Sequence, residues 1–197
     1  YAPTNVVYNG VPLDSYDFEP TVPDDAPLVF LGRIAPIKGT HHAVRVAQES
    51  GRDLVIAGNV PDAPKEQAYF KEQVEPYVDG SHIRYVGPVN DREKNDLLGR
   101  SAAFLMPIDW DEPFGIVMAE ALACGTPVIG TRRGSVPEVV LDSETGFVCD
   151  SLEEMVDAVA RLDEIDREAC RRRCETHFSD TAIVDAYEKI YTHHFSH

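Results

Sequence analysis

Cationic side chains are scarce in this sequence: 18 Lys and Arg stand against 34 Asp and Glu, a formal net charge of −16. Over most of its surface such a chain repels polyanions, which argues against a general nucleic-acid binder. An anionic ligand must then be held by a local cationic spot, so each Arg or Lys beside a glycine is informative. The acidity fits either plain solubility or a high-salt habitat. Long apolar runs are absent, none approaching the roughly 20 residues of a membrane helix, and Tyr1-Ala2-Pro3-Thr4 has no leader pattern. Cysteine is rare as well. Cys124, Cys149, Cys170 and Cys174 form no CxxC pair and match no His spacing, which argues against a zinc ribbon or disulfide framework. Cys170 and Cys174 stand at i, i+4 of one expected helix. Together these absences set the expectation of a soluble, reduced, cytoplasmic protein. Neither GxGxxG nor GxxxxGK[ST] occurs, so the dinucleotide and P-loop readings lose their main signature.

What remains is ordinary globular material: 197 residues with 43% apolar and 26% charged side chains, enough for one domain with a buried core. Residues 1–27 read as a separate stretch. A short extended run, Val6 to Val11 with an Asn9-Gly10 turn, leads into an acidic, Pro-rich linker containing Pro20, Pro23 and Pro27. From Leu28 onward, apolar runs alternate with helical patterns. Strands are expected at 28–32, 53–58, 83–87, 102–106, 127–130 and 146–148. Helices are expected at 40–50, 65–77, 91–100, 115–123 and 136–141, and throughout the region after Ser151. Unbroken apolar strands alternating with helices predict an α/β domain over residues 28–197, a doubly wound, Rossmann-like parallel sheet with helices on both faces. In such sheets ligands sit beyond the C-terminal strand ends, and the chemistry is sought there.

Two segments answer that search. After the first strand, Gly32-Arg33 and Lys38-Gly39 bound a loop that runs into a helix. Gly32 lets backbone approach a ligand, Arg33 can fork across two phosphate oxygens, and Lys38 acts as a point charge. The plain alternative is two solvated cations. After the fourth strand, Glu112-Pro113-Phe114-Gly115 leads into an apolar helix carrying Glu120. Pro113 suits the first helical turn, and the amides of Gly115 to Val117 then form an anion site at the helix start. Glu112 and Glu120 lie at most about 12 Å apart at helical rise. That span suits a ligand with hydroxyls at both ends and phosphate between, such as a nucleotide-sugar. A glutamate in so apolar a helix needs a partner, either a ligand or neighbouring backbone. Asp109-Trp110-Asp111 mimics a metal-binding DxD and reads as a decoy with loop carboxylates. His41-His42 and His193-His194 are adjacent pairs whose side chains are expected to diverge on a helix, so no metal site is expected.

Taken together, Gly32-Arg33, Lys38-Gly39, Glu112-Pro113-Phe114-Gly115 through Glu120 to Ile129, and Gly134-Ser135-Val136-Pro137-Glu138 resemble glycosyltransferase family 4, the group 1 glycosyltransferases. The resemblance runs from about Val6 to the C-terminus and implies the C-terminal, donor-binding half of a retaining GT-B enzyme. It further implies that an N-terminal acceptor domain is missing from this chain, with any peripheral membrane contact made through that half.

By resemblance, Arg33 and Lys38 bind the donor diphosphate and Glu112 meets the transferred sugar near its anomeric carbon. The amides of Phe114, Gly115 and Ile116 hold sugar hydroxyls, and that of Val117 joins the phosphate contacts. Glu120 takes the ribose hydroxyls, and Val86 and Gly87 line the base. No cofactor is implied beyond the nucleotide-diphosphate sugar substrate, and no metal. One departure is Gly58-Asn59-Val60-Pro61, which lacks a second glycine often present after the second strand. A noncatalytic nucleotide-sugar-binding module and a sugar-nucleotide 2-epimerase of the same architecture are the alternatives.

Overall fold

The computed structural model describes the backbone of residues 6–195 and the side chains of residues 6–192, so the His193-His194 pair lies outside the described side chains. Six strands are present among the described residues: β1 (Leu28–Leu31), β2 (Leu54–Ala57), β3 (Ile83–Gly87), β4 (Ala103–Met106), β5 (Val128–Thr131) and β6 (Gly146–Cys149). They form one parallel sheet in the order β3-β2-β1-β4-β5-β6. Residues of β2 and β4 are buried on both faces, which is why those strands are unbroken apolar runs. Edge strand β3 differs: its burial alternates, with Arg84 and Val86 turned outward.

Among the described residues eight α-helices accompany the strands: α1 (Thr40–Ser50), α2 (Pro64–Gln73), α3 (Asp91–Gly99), α4 (Ile116–Ala123), α5 (Val136–Val139), α6 (Leu152–Val159), α7 (Arg167–His177) and α8 (Asp180–Phe195). On one side of the sheet α1 packs against α6, while on the other α4 packs against α3 and α7. This is the doubly wound sheet expected from the alternating pattern. The helix anticipated over 65–77 is divided, ending at Gln73 before a separate 3-10 turn over Glu75–Tyr77. Pro76 has no amide to continue the helical ladder and disfavours helical backbone at Glu75. The start of α3 is fixed by a capping box, with Asn90 Oδ1 accepting from the Glu93 amide and Glu93 accepting from the Asn90 amide.

Residues 6–11 form no strand; Val11 makes an isolated bridge to Ser179, its amide donating to the Phe178 carbonyl at 2.8 Å. The acidic stretch after it is laid against the domain as a strap. Asp17 bonds Asn95 through backbone and side chain, and the Glu19 amide donates to the Cys124 carbonyl. Buried Arg167 clips the strap down, donating to the carbonyls of Glu19, Gly99 and Ser101 and to Thr126 Oγ1. All four cysteines are free and buried, Cys170 and Cys174 together on α7.

The order of the sheet reverses between β1 and β4, so the loops leaving those two strands diverge around a crevice.

Candidate functional site

From β1 the chain passes through Gly32 and Arg33 into a 3-10 turn over Pro36–Lys38, then enters α1. Gly39 holds a left-handed conformation (φ 71°), and a Cβ there would overlap the Pro107 carbonyl. The loop after β1 therefore lies directly on the loop after β4. The Asp109 amide closes the contact by donating to the Ile37 carbonyl at 3.0 Å. Lys38 is thereby carried to Glu112, with which it forms an ion pair, and its Nζ stands 5.0 Å from the centre of the Trp110 ring. Arg33 is exposed and pairs with no carboxylate among the described residues.

Glu112 is held by its own backbone. Its carbonyl accepts from the Ser135 amide at 2.9 Å, and Ser135 Oγ donates to the Phe114 carbonyl at 2.8 Å. Gly134 approaches so closely that an added Cβ would lie 2.5 Å from the Glu112 carbonyl oxygen. The loop after β5 thus braces the loop after β4. Gly115 is the N-cap of α4 in a left-handed conformation (φ 66°), and the first helical residue is Ile116. Pro113 therefore lies ahead of the helix, a correction to its expected place in the first turn. The cause is Gly115, whose left-handed backbone interrupts the helical conformation after Pro113. The amides of Phe114, Gly115, Ile116 and Val117 donate to no acceptor among the described residues. These groups sit at the positive end of the α4 dipole, next to Lys38 and Glu112, as an anion site requires.

Glu120 lies one turn further along α4, 7% exposed among apolar neighbours. Its partners are not the backbone. Oε1 accepts from Lys94 Nζ at 2.7 Å and from the Tyr16 hydroxyl at 2.7 Å. Burial works against the Lys94 ammonium, but the hydrogen bond and charge of Glu120 outweigh it, and the net shift is upward. The Tyr16 hydroxyl is also raised, by burial first and then by its bond to Glu120. Sequence reasoning missed both partners. Tyr16 is 104 residues from Glu120 and comes from the strap. Lys94 carried one signal, being the first lysine after a legible capping box.

The ends of β2 and β3 form the outer edge of the crevice. Gly58, at the end of β2, touches the Gly32 carbonyl where a Cβ would overlap it, and the Tyr85 hydroxyl donates to the Gly58 carbonyl at 2.8 Å. Val86 is 47% exposed and Gly87 is left-handed (φ 75°), its carbonyl accepting from the Gly58 amide at 2.9 Å, so this edge offers apolar surface.

Contrary to the expected divergence, the His41 and His42 rings lie against each other at a tilt of 38° with centroids 3.8 Å apart, and both lie near Asp109. His41 Nδ1 bonds the Tyr69 hydroxyl at 2.7 Å and His42 Nε2 bonds Asp109 at 2.9 Å, and these two bonds turn the rings toward each other. His41, His42 and Asp109 are the one trio of potential metal ligands among the described residues. It occupies the first turn of α1, the positive end of that helix and close to Lys38, which disfavours a cation. Asp109 and Asp111 are both exposed and share no group of three potential ligands among the described residues. A cavity of about 830 Å³ lies at the opposite, N-terminal end of the strands. It is lined by Asp24, Glu49, Asp157 and Asp163, and its two arginines, Arg52 and Arg167, are engaged by strap carbonyls, so it repels an anion.

The family described as "Glycosyl transferases group 1" matches residues 15–176. This chain belongs to the group 1 glycosyltransferases. Within the family it is 34% identical over 172 residues to a putative glycosyltransferase, YtcC of Bacillus subtilis (strain 168), covering 75% of this chain and 42% of that protein. In structure it resembles AviGT4, a glycosyltransferase involved in avilamycin A biosynthesis, with a TM-score of 0.78 at 28% identity. That match covers 98% of this chain and 58% of AviGT4. The fold is also that of HepE from Anabaena, solved in complex with UDP-glucose, with a TM-score of 0.77 at 19% identity over 98% of this chain and 57% of HepE. The chain thus has the fold of one half of a GT-B glycosyltransferase, and spans less than half the length of the first curated relatives it matches. Among the described residues no helix is long and apolar enough to cross a membrane.

Proposed function

We propose that this chain is the donor-binding half of a retaining glycosyltransferase, of the family 4 type, that transfers a hexosyl group from a nucleotide-diphosphate sugar. The observation that carries the proposal is the meeting of the Lys38 ammonium and the Glu112 carboxylate beside the unpartnered amides that open α4. In that pocket a diphosphate lies against Lys38, Arg33 and the Ile116 and Val117 amides. The sugar faces Glu112 and the Phe114 and Gly115 amides, the ribose faces Glu120, and the base rests on Val86 and Gly87. The UDP-glucose bound by the structural relative HepE is a ligand of this chemical class.

The mechanism follows from where charge develops. As the bond between the anomeric carbon and the diphosphate oxygen breaks, its electron pair leaves with the nucleoside diphosphate. Negative charge then grows on oxygens already facing Lys38, Arg33 and a helix N-terminus, which stabilise it without reorganising. The complementary positive charge grows on the sugar ring, where Glu112 opposes it. Positive charge from the chain itself does the work that a divalent cation does in DxD enzymes, and metal-independent transfer is expected. A preceding domain of the whole protein binds the acceptor, a reading that the partial-length match to relatives supports. The four buried, free thiols suit a reducing compartment, in keeping with a cytoplasmic enzyme.

The test is calorimetry of UDP, GDP and ADP and their sugars with the protein, compared with Lys38→Ala and Glu120→Ala. Each variant is expected to weaken nucleoside-diphosphate binding at least tenfold. Unchanged affinity in both removes the site assignment.

A further inference from the structure

We propose that Lys94 and Tyr16 are positioning residues that present one oxygen of Glu120 to the ribose 2′- and 3′-hydroxyls, making the site selective for ribonucleotides over 2′-deoxyribonucleotides. The inference rests on the donor-site reading above and adds to it two residues and a selectivity.

The geometry of the carboxylate carries the argument. A carboxylate has two oxygens and about four acceptor positions. Here both protein donors converge on the same oxygen: Lys94 Nζ and the Tyr16 hydroxyl each lie 2.7 Å from Oε1. No described residue donates to Oε2. Two donors from different elements fix the carboxylate plane in a way that one donor cannot, and they direct Oε2 away from the pair. An acceptor fixed in this way suits a vicinal diol, whose hydroxyls can both reach one carboxylate oxygen.

Each positioning residue is itself held. Lys94 follows the capping box that fixes the start of α3, its amide donates to the Asn90 carbonyl at 2.8 Å, and its side chain is only 17% exposed. Asp91 adds a second carboxylate 3.3 Å from its Nζ, and the Tyr16 ring lies 5.7 Å away. Tyr16 is 8% exposed, and its carbonyl accepts from the Arg171 guanidinium at 2.9 Å. The ammonium is held charged and the phenol held protonated, so both remain donors through the physiological pH range. Removing the 2′-hydroxyl from the ligand leaves a mostly buried carboxylate oxygen short of a donor, a penalty that sites built to bind hydroxyls exact strongly.

The experiment measures affinities of UDP, GDP and ADP and their 2′-deoxy counterparts by calorimetry, using the protein at its full natural length. The wild type is expected to bind the preferred ribonucleotide at least tenfold more tightly than its deoxy form. In Lys94→Met that ratio is expected to fall toward one as the ribonucleotide loses affinity, with Lys94→Arg restoring part of it and Tyr16→Phe giving a smaller loss. Lys38→Ala weakens both forms alike and preserves the ratio, which separates diphosphate from ribose recognition. If Lys94→Met fails to fold, Lys94→Arg and Tyr16→Phe carry the comparison, and a wild-type ratio in both overturns the proposal. If the nucleotides bind but Lys94→Met keeps the wild-type ratio, the positioning role alone falls. If none of the nucleotides binds the wild type, the donor-site reading fails and this proposal with it.

Discussion

Replacing Gly134 with alanine tests whether the loop after β5 truly sets the position of Glu112. Gly134 is left-handed (φ 50°), a conformation that costs an L-residue about 1 to 2 kcal/mol. Gly51 is an internal control, left-handed as well (φ 68°) but with nothing within 4 Å of an added Cβ. Gly51→Ala therefore incurs the conformational cost alone, about 1 kcal/mol, or roughly 2 to 4 °C of melting temperature in a chain of this size. At Gly134 the new Cβ would also lie 2.5 Å from the Glu112 carbonyl oxygen and 2.8 Å from the Asp111 carbonyl carbon. A normal contact is about 3.5 Å, so the Glu112 loop must open by about 1 Å. Overpacking of that kind adds about 1 to 3 kcal/mol, so Gly134→Ala should lose roughly two to four times as much melting temperature as Gly51→Ala. A displacement of about 1 Å at a group facing the reacting centre is worth roughly a hundredfold in transfer rate. On the proposed reading Glu112 faces the sugar, so Gly134→Ala should also weaken nucleotide-sugar binding more than binding of the bare nucleoside diphosphate. Scanning fluorimetry and calorimetry on the two variants read both effects. Equal melting losses together with an unchanged sugar-to-nucleotide affinity ratio would refute the bracing role.

Two further outcomes follow from the same structure. Arg167→Met strips four acceptors in and beside the strap of a charged donor, and should destabilise the protein by about 3 kcal/mol, read from urea denaturation; a loss under about 1 kcal/mol sinks the clip. His41 is held below its ordinary value of 6.5, by burial first and then by the neighbouring His42. The unfolded chain therefore binds that proton more readily, so this contribution is present above pH 6.5 and is lost as pH falls below it. His41→Gln should flatten the stability profile below pH 6.5, and an unchanged slope there contradicts the assignment.

The sheet was legible in the sequence because strands buried on both faces cannot hide: Leu54-Val55-Ile56-Ala57 and Ala103-Phe104-Leu105-Met106 are apolar throughout and sit where expected. Sequence spacing also marked Lys38, Glu112 and the start of α4, and these three are together in space. Boundaries were harder. The Pro113 signal placed the helix start too early because the left-handed Gly115 decides it, and Pro76 divided a helix that the apolar pattern left continuous. Long-range pairing was invisible: no local pattern joins Tyr16 to Glu120 across 104 residues, or His42 to Asp109 across 67. Composition described residues 14–27 as a linker, since acidic and Pro-rich stretches look alike whether they hang free or lie in a groove. What fastens this one is Arg167, 148 residues from Glu19.

That fastening changes what counts as the minimal binding unit. A protein trimmed to begin at Leu28 would keep β1 to β6 and α1 to α8, yet Glu120 would lose the phenol that donates to it. Arg167 would be left with fewer carbonyls to satisfy, and the Gly125 backbone, now covered by Phe18, would be bared to water. A shortened version could thus fold into a recognisable sheet and still, on the proposed reading, bind nucleotides poorly, its defect lying in the polypeptide that leads into the fold.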